Sequence, residues 1–88
     1  MPKWYATFGW GSPLVGCYVE LEAEDRAAAH LDMDRRFPRW TGSITDELAW
    51  ATTNWQGHTQ AQRLGLREIT AVEEEQYRAD HQDAQAGS

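Results

Sequence analysis

Two runs of alternating apolar and polar residues lie near the start of the chain, on either side of a Gly/Pro-rich segment. Apolar side chains occupy every second position of residues 3–9, at Trp4, Ala6 and Phe8. Residues 16–23 repeat this pattern, with Cys17, Val19 and Leu21 alternating with Tyr18, Glu20 and Glu22. A period of two is typical of a strand with one buried face. The pattern therefore predicts a β-hairpin with one apolar face and one acidic, solvated face.

A helix is predicted to follow the hairpin. Asp25 is a suitable N-cap, and the alanines after it favour helix. Ala29, Met33 and Phe37 recur every four residues and define a buried stripe along one side. Pro38 ends the helix, because the residue before a proline avoids helical geometry.

The rest of the chain predicts shorter elements. A third strand is predicted over residues 40–45, followed by a short helix capped by Thr45 or Asp46. A second short helix is predicted over residues 58–64, before Gly65, and a fourth strand over residues 66–70. A capping box at Thr70 then begins a C-terminal helix from Val72 to about Arg78. The pattern of residues 51–57 is ambiguous.

The predicted fold class is α+β. It has a small, mainly antiparallel sheet in β-β-α-β-β order, with one long helix packed on one face and short helical segments after the third strand. Residues 1–80 are expected to form a single compact domain. Residues 81–88 offer nothing to bury and are expected to be a flexible C-terminal tail.

Composition narrows the functional classes. The chain has 88 residues, a net charge of −6, five tryptophans and a single cysteine. One cysteine excludes an internal disulfide and favours a reducing cytoplasm, and no segment has the apolar length of a membrane span. The acidic balance disfavours nucleic acid as a partner, because phosphate binding needs a basic footprint. The tryptophans supply much of the apolar surface of a small core.

Several segments together resemble a known group of proteins. The segments are Tyr5-Ala6-Thr7-Phe8-Gly9, Glu22-Ala23-x-Asp25, the residues Ala29, Met33, Phe37 and Trp40, and the late Gly65-Leu66-x-Glu68. This pattern looks like a family of small bacteriophage-encoded proteins with a Y-A-T-F-G opening. The resemblance covers about residues 4–69 and implies a phage origin, hence the host cytoplasm. It transfers no site residue, because the family has no agreed function. The chain departs from the family at Pro38, in the Trp-rich segment 50–57 and in its C-terminal extension.

No catalytic, cofactor or metal site is predicted. Gly9-Trp10-Gly11 leads into a proline and a strand rather than a helix, so it indicates a turn and not a phosphate cradle. Cys17 occupies an inward position, where burial raises the pKa of a thiol and suits a structural role. The three histidines, His30, His58 and His81, lack the spacing of metal ligands.

Two charged segments have an ordinary and a functional interpretation. The carboxylates of Glu20, Glu22, Glu24 and Asp25 fit a solvated face, but could also imitate a phosphate track. The arginines in residues 35–39, next to Trp40, complement a helix C-terminus, although single-strand binders also combine basic and aromatic residues.

The loop aromatics are the remaining signal. Trp10, Leu14, Trp50 and Trp55 lie in or beside loops, where they either form a small second core or contact a partner. We expect a non-enzymatic phage accessory protein, acting in host takeover, that binds a host or phage protein, or a second copy of itself, through these residues. The alternative is an acidic nucleic-acid mimic or an inhibitor of a nucleic-acid-processing enzyme.

Overall fold

Four strands and four helices are present in residues 1–86, which the computed structural model describes, with side chains to residue 81. The strands are β1 (Lys3–Thr7), β2 (Cys17–Glu22), β3 (Ile44–Asp46) and β4 (Arg67–Glu68). The helices are α1 (Arg26–Arg36), α2 (Glu47–Ala51), α3 (Gln60–Leu64) and α4 (Ala71–Ala86).

The sheet is mixed and has the strand order β3-β1-β2-β4. β1 pairs antiparallel with both β2 and β3, as the hairpin pattern predicts. β4 pairs in parallel with β2, matching Cys17 with Arg67 and Tyr18 with Glu68. The α+β class is thus confirmed, while the prediction of a mainly antiparallel sheet needs correction at this edge. The reason is the long connection through α2 and α3, which carries the chain from one edge of the sheet to the other, as a parallel pairing requires.

Helix α1 covers the apolar face of the sheet. Its N-cap is Asp25, whose carboxylate accepts a hydrogen bond from the Ala28 amide at 2.8 Å. Ala29, Met33 and Phe37 are fully buried, which confirms the predicted stripe. They pack with the inward residues of the hairpin. The core is completed by side chains from loops, β3 and α4, namely Leu14, Ala23, Trp40, Ile44 and Tyr77.

Two predicted strands are shorter than expected. β3 begins at Ile44, so Trp40 precedes it rather than lying within it. Trp40 is nevertheless buried, and its indole Nε1 donates to the Thr7 carbonyl at 3.0 Å. β4 contains two residues of the five predicted, because the chain turns away after Glu68 to begin α4.

The C-terminal helix α4 is longer than α1, which corrects the prediction of one long helix. The capping box is confirmed, since the Thr70 and Glu73 side chains each accept from the other residue's backbone amide. The predicted end near Arg78 is wrong, because α4 continues to Ala86. No glycine or proline lies between Ala71 and Gly87, so nothing in this stretch breaks the helix. The tail predicted over residues 81–88 therefore overlaps α4, and Gly87 and Ser88 lie outside the described residues.

Helix α4 docks on the end of α1 through one buried aromatic residue. The Tyr77 ring centroid lies 5.6 Å from that of Phe37, and its hydroxyl donates to the Pro38 carbonyl at 2.7 Å. Beside it, Arg36 forms a half-buried ion pair with Glu74 at 2.8 Å. No helix among the described residues is long and apolar enough to cross a membrane.

Phe37 should dominate the stability of this core. Phe37→Ala is expected to lower the free energy of unfolding by about 3–5 kcal/mol, because the ring is fully buried and touches both Phe8 and Tyr77. Urea unfolding followed by circular dichroism measures the loss. Leu31→Ala is the matched control on the same helix, since Leu31 is 63% exposed and should change stability by less than about 0.5 kcal/mol. Equal effects of the two variants would contradict this assignment of the core.

Candidate functional site

The connection between β1 and β2 is a sequence of tight turns rather than an open loop. The amides of Ser12, Val15 and Cys17 each donate to the carbonyl three residues earlier, at 3.0–3.2 Å. The connection is also tied to the rest of the fold, because the Gly9 amide donates to the Thr41 carbonyl at 2.8 Å. Leu14 is buried in the core and anchors the middle of the segment. Hydrogen bonds and the buried Leu14 side chain therefore constrain the loop at several points along its length.

Trp10 is the most exposed large apolar residue of this loop. Its side chain is 96% exposed, although indole is among the largest apolar groups in proteins. Gly11 follows it with a φ of 92°, a conformation that glycine adopts without a steric penalty. An exposed tryptophan on a hydrogen-bonded loop loses little conformational freedom when it contacts another molecule.

A groove of about 470 Å³ lies beside Trp10, between the hairpin loop and the α3–β4 segment. Val15 and Leu64 contribute apolar side chains that are 46% and 61% exposed. Thr7, Ser43 and Gln60 supply polar groups, and within residues 1–81 no charged residue lines the groove. We call this feature, with Trp10 at its rim, the Trp10 groove.

Helix α3 forms one wall of the Trp10 groove and is fixed at both ends. Thr59 and Gln62 form a capping box at its start. Gly65 ends it in the left-handed conformation, with φ 67°. The Leu66 amide then donates to the Ala61 carbonyl at 2.8 Å, which turns the chain into β4. This local geometry places Leu64 at the groove.

Trp50 occupies the second face of the sheet, not the surface. Its ring stacks on Tyr5, with centroids 5.0 Å apart and planes within 1° of parallel, and lies 5.1 Å from Tyr18. Only 8% of the residue is exposed. Helix α2, which carries Trp50, starts at the N-cap Asp46. The hairpin face that the sequence predicted to be solvated is thus partly covered by an aromatic cluster of Tyr5, Tyr18 and Trp50.

Trp55 lies in a well-ordered loop, within the region that the sequence left ambiguous. The Asn54 carboxamide accepts hydrogen bonds from the amides of Gln56 and His58, and Gly57 closes the turn with φ 82°. Trp55 is 90% exposed on this loop, and the Trp10 groove does not include it.

The four predicted contact residues therefore separate into two groups. Leu14 and Trp50 are buried within this chain, which is the core position that the sequence had left open beside a contact role. Trp10 and Trp55 are exposed, and Trp10 alone of the four lines the groove. Val15 and Leu64 were not predicted. The available signal was that each is an apolar residue directly before a turn glycine, Gly16 or Gly65.

Glu20 is held by neighbours on the second face of the sheet. Its carboxylate accepts a hydrogen bond from the Tyr5 hydroxyl at 2.9 Å and lies 3.6 Å from the Lys3 ammonium. Burial, and then the hydrogen bond to Glu20, raises the pKa of Tyr5 from its ordinary value of 10.0 to about 12. Glu20 is thus part of a local polar network rather than a free carboxylate.

The other reactive groups are placed as structural residues. Cys17 is 4% exposed, and burial raises the pKa of its thiol. His30 packs edge-on against Trp40, with ring centroids 5.2 Å apart, and His81 stacks on Tyr77 at 3.9 Å. Among the described residues no three histidine, cysteine, aspartate or glutamate side chains converge as a metal site would require.

Comparison with known proteins does not assign the chain to a group. No family model matches it, and no curated protein or solved structure is significantly similar.

The two tryptophans of the α2–α3 region should differ sharply in their effect on stability. Trp50→Ala is expected to lower the free energy of unfolding by about 3 kcal/mol, because it exposes Tyr5 and leaves a cavity on the sheet. Trp55→Ala should change it by less than about 0.5 kcal/mol. Urea titrations of the two variants make the comparison, and similar midpoints for both would show that Trp50 does not cover the sheet.

Alkaline pH should destabilise the fold through Tyr5. The pKa of Tyr5 is higher in the folded chain than its ordinary 10.0, so the stabilising contribution is complete below pH 10 and is lost as pH rises through about 12. Thermal melts across this range should show a falling Tm. The fall should be smaller in Tyr5→Phe, with a residual part because burial also raises the pKa of Tyr18 and Tyr77. An unchanged slope in Tyr5→Phe would contradict the assignment.

Proposed function

We propose that this chain is a protein-binding module whose contact surface is the Trp10 groove. The observation that supports the proposal is the 96% exposure of Trp10 on a hydrogen-bonded loop, at the rim of an uncharged groove with exposed Val15 and Leu64. Tryptophan is enriched among the residues that dominate protein–protein affinity, and charged residues are depleted at the centres of such interfaces.

The proposed module is non-enzymatic. Cys17 is buried, and the hydroxyl of Tyr5 is engaged with Glu20. Together with the resemblance of residues 4–69 to small phage proteins, this favours an accessory protein that acts by binding a host or phage protein. A second copy of the chain is the other candidate occupant of the groove.

The acidic-mimic hypothesis has weaker support. A mimic needs carboxylates that are free to face a basic partner. Two of the four carboxylates in the predicted cluster have internal roles, since Glu20 binds Tyr5 and Lys3 while Asp25 caps α1. Glu22 and Glu24 are exposed and remain free to steer a basic partner.

Substitution of Trp10 tests the proposal directly. Proteins captured from a bacterial lysate by the immobilised chain are identified, purified and titrated calorimetrically against the variants. Trp10→Ala should leave Tm unchanged and weaken binding about thirtyfold or more, the loss expected for an interface anchor. Leu64→Ala, on the opposite wall, should weaken the same complex to a smaller extent.

Two variants outside the groove are the controls. Trp55→Ala and Leu31→Ala remove exposed apolar side chains that do not line the groove, so both should bind like the unmodified chain. Sedimentation equilibrium of the chain alone tests whether a second copy occupies the groove. If it does, the unmodified chain should be a dimer and Trp10→Ala should be a monomer. Full binding by Trp10→Ala, combined with loss of binding in Glu20→Lys and Glu22→Lys, would overturn the proposal in favour of the acidic mimic.

A further inference from the structure

A second, smaller cleft lies on the other side of Trp10 and differs from the groove in chemistry. It has a volume of about 240 Å³ and is formed by the hairpin loop, the turn after α1 and the side of α4. Arg39, Ser12, Thr41 and His81 are among its lining residues. Among residues 1–81, whose side chains the structure describes, no acidic residue lines it, although the chain has fourteen acidic residues and eight basic ones.

Arg39 reaches this cleft from an unfavourable backbone position. The Trp40 amide donates to the Phe37 carbonyl at 2.9 Å, which closes a turn with Pro38 and Arg39 at its centre. Arg39 has φ 63°, the positive value that the third position of a type II turn requires and that glycine adopts most readily. Within the described part of the chain it is the sole residue other than glycine with positive φ. The chain therefore keeps an arginine where local geometry favours glycine.

Some of the surrounding groups have hydrogen-bond donors to offer. Ser12 Oγ accepts a hydrogen bond from the Leu14 amide at 3.2 Å, so its own hydroxyl hydrogen is not used there. His81 Nδ1 lies 2.8 Å from the Tyr77 carbonyl and must donate to it, so Nε2 of the neutral ring is an acceptor and offers no donor to the cleft. Within residues 1–81 the arginines that form ion pairs are Arg35, Arg36, Arg67 and Arg78, and Arg39 is not among them.

We propose that this cleft is a binding site for a phosphate group, with Arg39 as its main ligand and the Ser12 and Thr41 hydroxyls as additional donors. The planar guanidinium matches the oxygens of phosphate in a bidentate geometry, and hydroxyls are common second partners. The part of the lining that the structure describes holds no carboxylate, as an anion site requires. The phosphate is either the free ion or a monoester such as a nucleotide. This site is separate from the proposed protein-binding function and does not depend on it.

Titration with inorganic phosphate, followed by ¹H–¹⁵N NMR, tests the site at constant ionic strength set with sodium chloride. Saturable shifts are expected for Ser12, Arg39 and Thr41, but not for residues of α2. A parallel titration with adenosine monophosphate distinguishes the two sources. If adenosine monophosphate half-saturates the site at a lower concentration than inorganic phosphate does, the ligand is a monoester. If the two half-saturation concentrations are equal, the ligand is the free ion.

Variants of Arg39 separate the site from the fold. Arg39→Gly should weaken phosphate binding about tenfold or more, because the charge-assisted hydrogen bonds are lost, while Tm rises by about 4 °C as the positive φ becomes favourable. Arg39→Gln keeps a long side chain without charge and should also lose binding. Arg63→Gln, on the exposed side of α3, is the control and should bind normally. Saturable binding that persists in both Arg39 variants, or shifts in the unmodified chain that merely follow ionic strength, would overturn the proposal.

Discussion

The stack of Trp50 on Tyr5 is the contact on which the rest of the structure depends. A four-stranded sheet has two faces, and α1 covers one of them. The aromatic stack holds α2 against the other, so the chain after β3 crosses this face and reaches the opposite edge. There β4 adds in parallel to β2. Together with the contact of Trp50 with Tyr18, the stack holds the 47–66 connection on this face of the sheet and so helps to place the α3 wall of the Trp10 groove.

The surface features follow from this arrangement. The α2–α3 crossover brings Leu64 to the side of the hairpin loop, where Val15 and Trp10 are already positioned by local turns. Burial of Trp50 and Leu14 uses two of the loop apolar residues for stability, and exposure of Trp10 and Trp55 leaves two others for contact. The fold thus buries Trp50 in a second small core and leaves Trp10 and Trp55 in solvent. Among residues 1–81, Trp10 is the one residue that lines both the groove and the smaller cleft beside it.

Helix α4 links the charged elements. Glu74 pairs with Arg36 and Arg78, and Tyr77 closes over Phe37 and the carbonyl of Pro38. These contacts fix the turn that contains Arg39 from one side, while burial of Trp40 fixes it from the other. A turn held at both ends can keep a positive φ at an arginine, because the cost is offset by packing elsewhere. The strain is therefore a property of the whole fold rather than of the turn alone.

The sequence by itself determined the features that depend on neighbouring residues: the hairpin, the Asp25 cap, the Ala29–Met33–Phe37 stripe and the Thr70 capping box. Periodicity and capping depend on residues only a few positions apart, so they can be recognised in the sequence without the fold. Tertiary structure decided the parallel edge strand, the burial of Trp50, and the meeting of Trp10 with Val15 and Leu64. A tryptophan beside a loop has the same local pattern whether it packs or projects. The choice depends on which surface the crossover segment brings to it, and that is set by contacts between residues far apart in the chain.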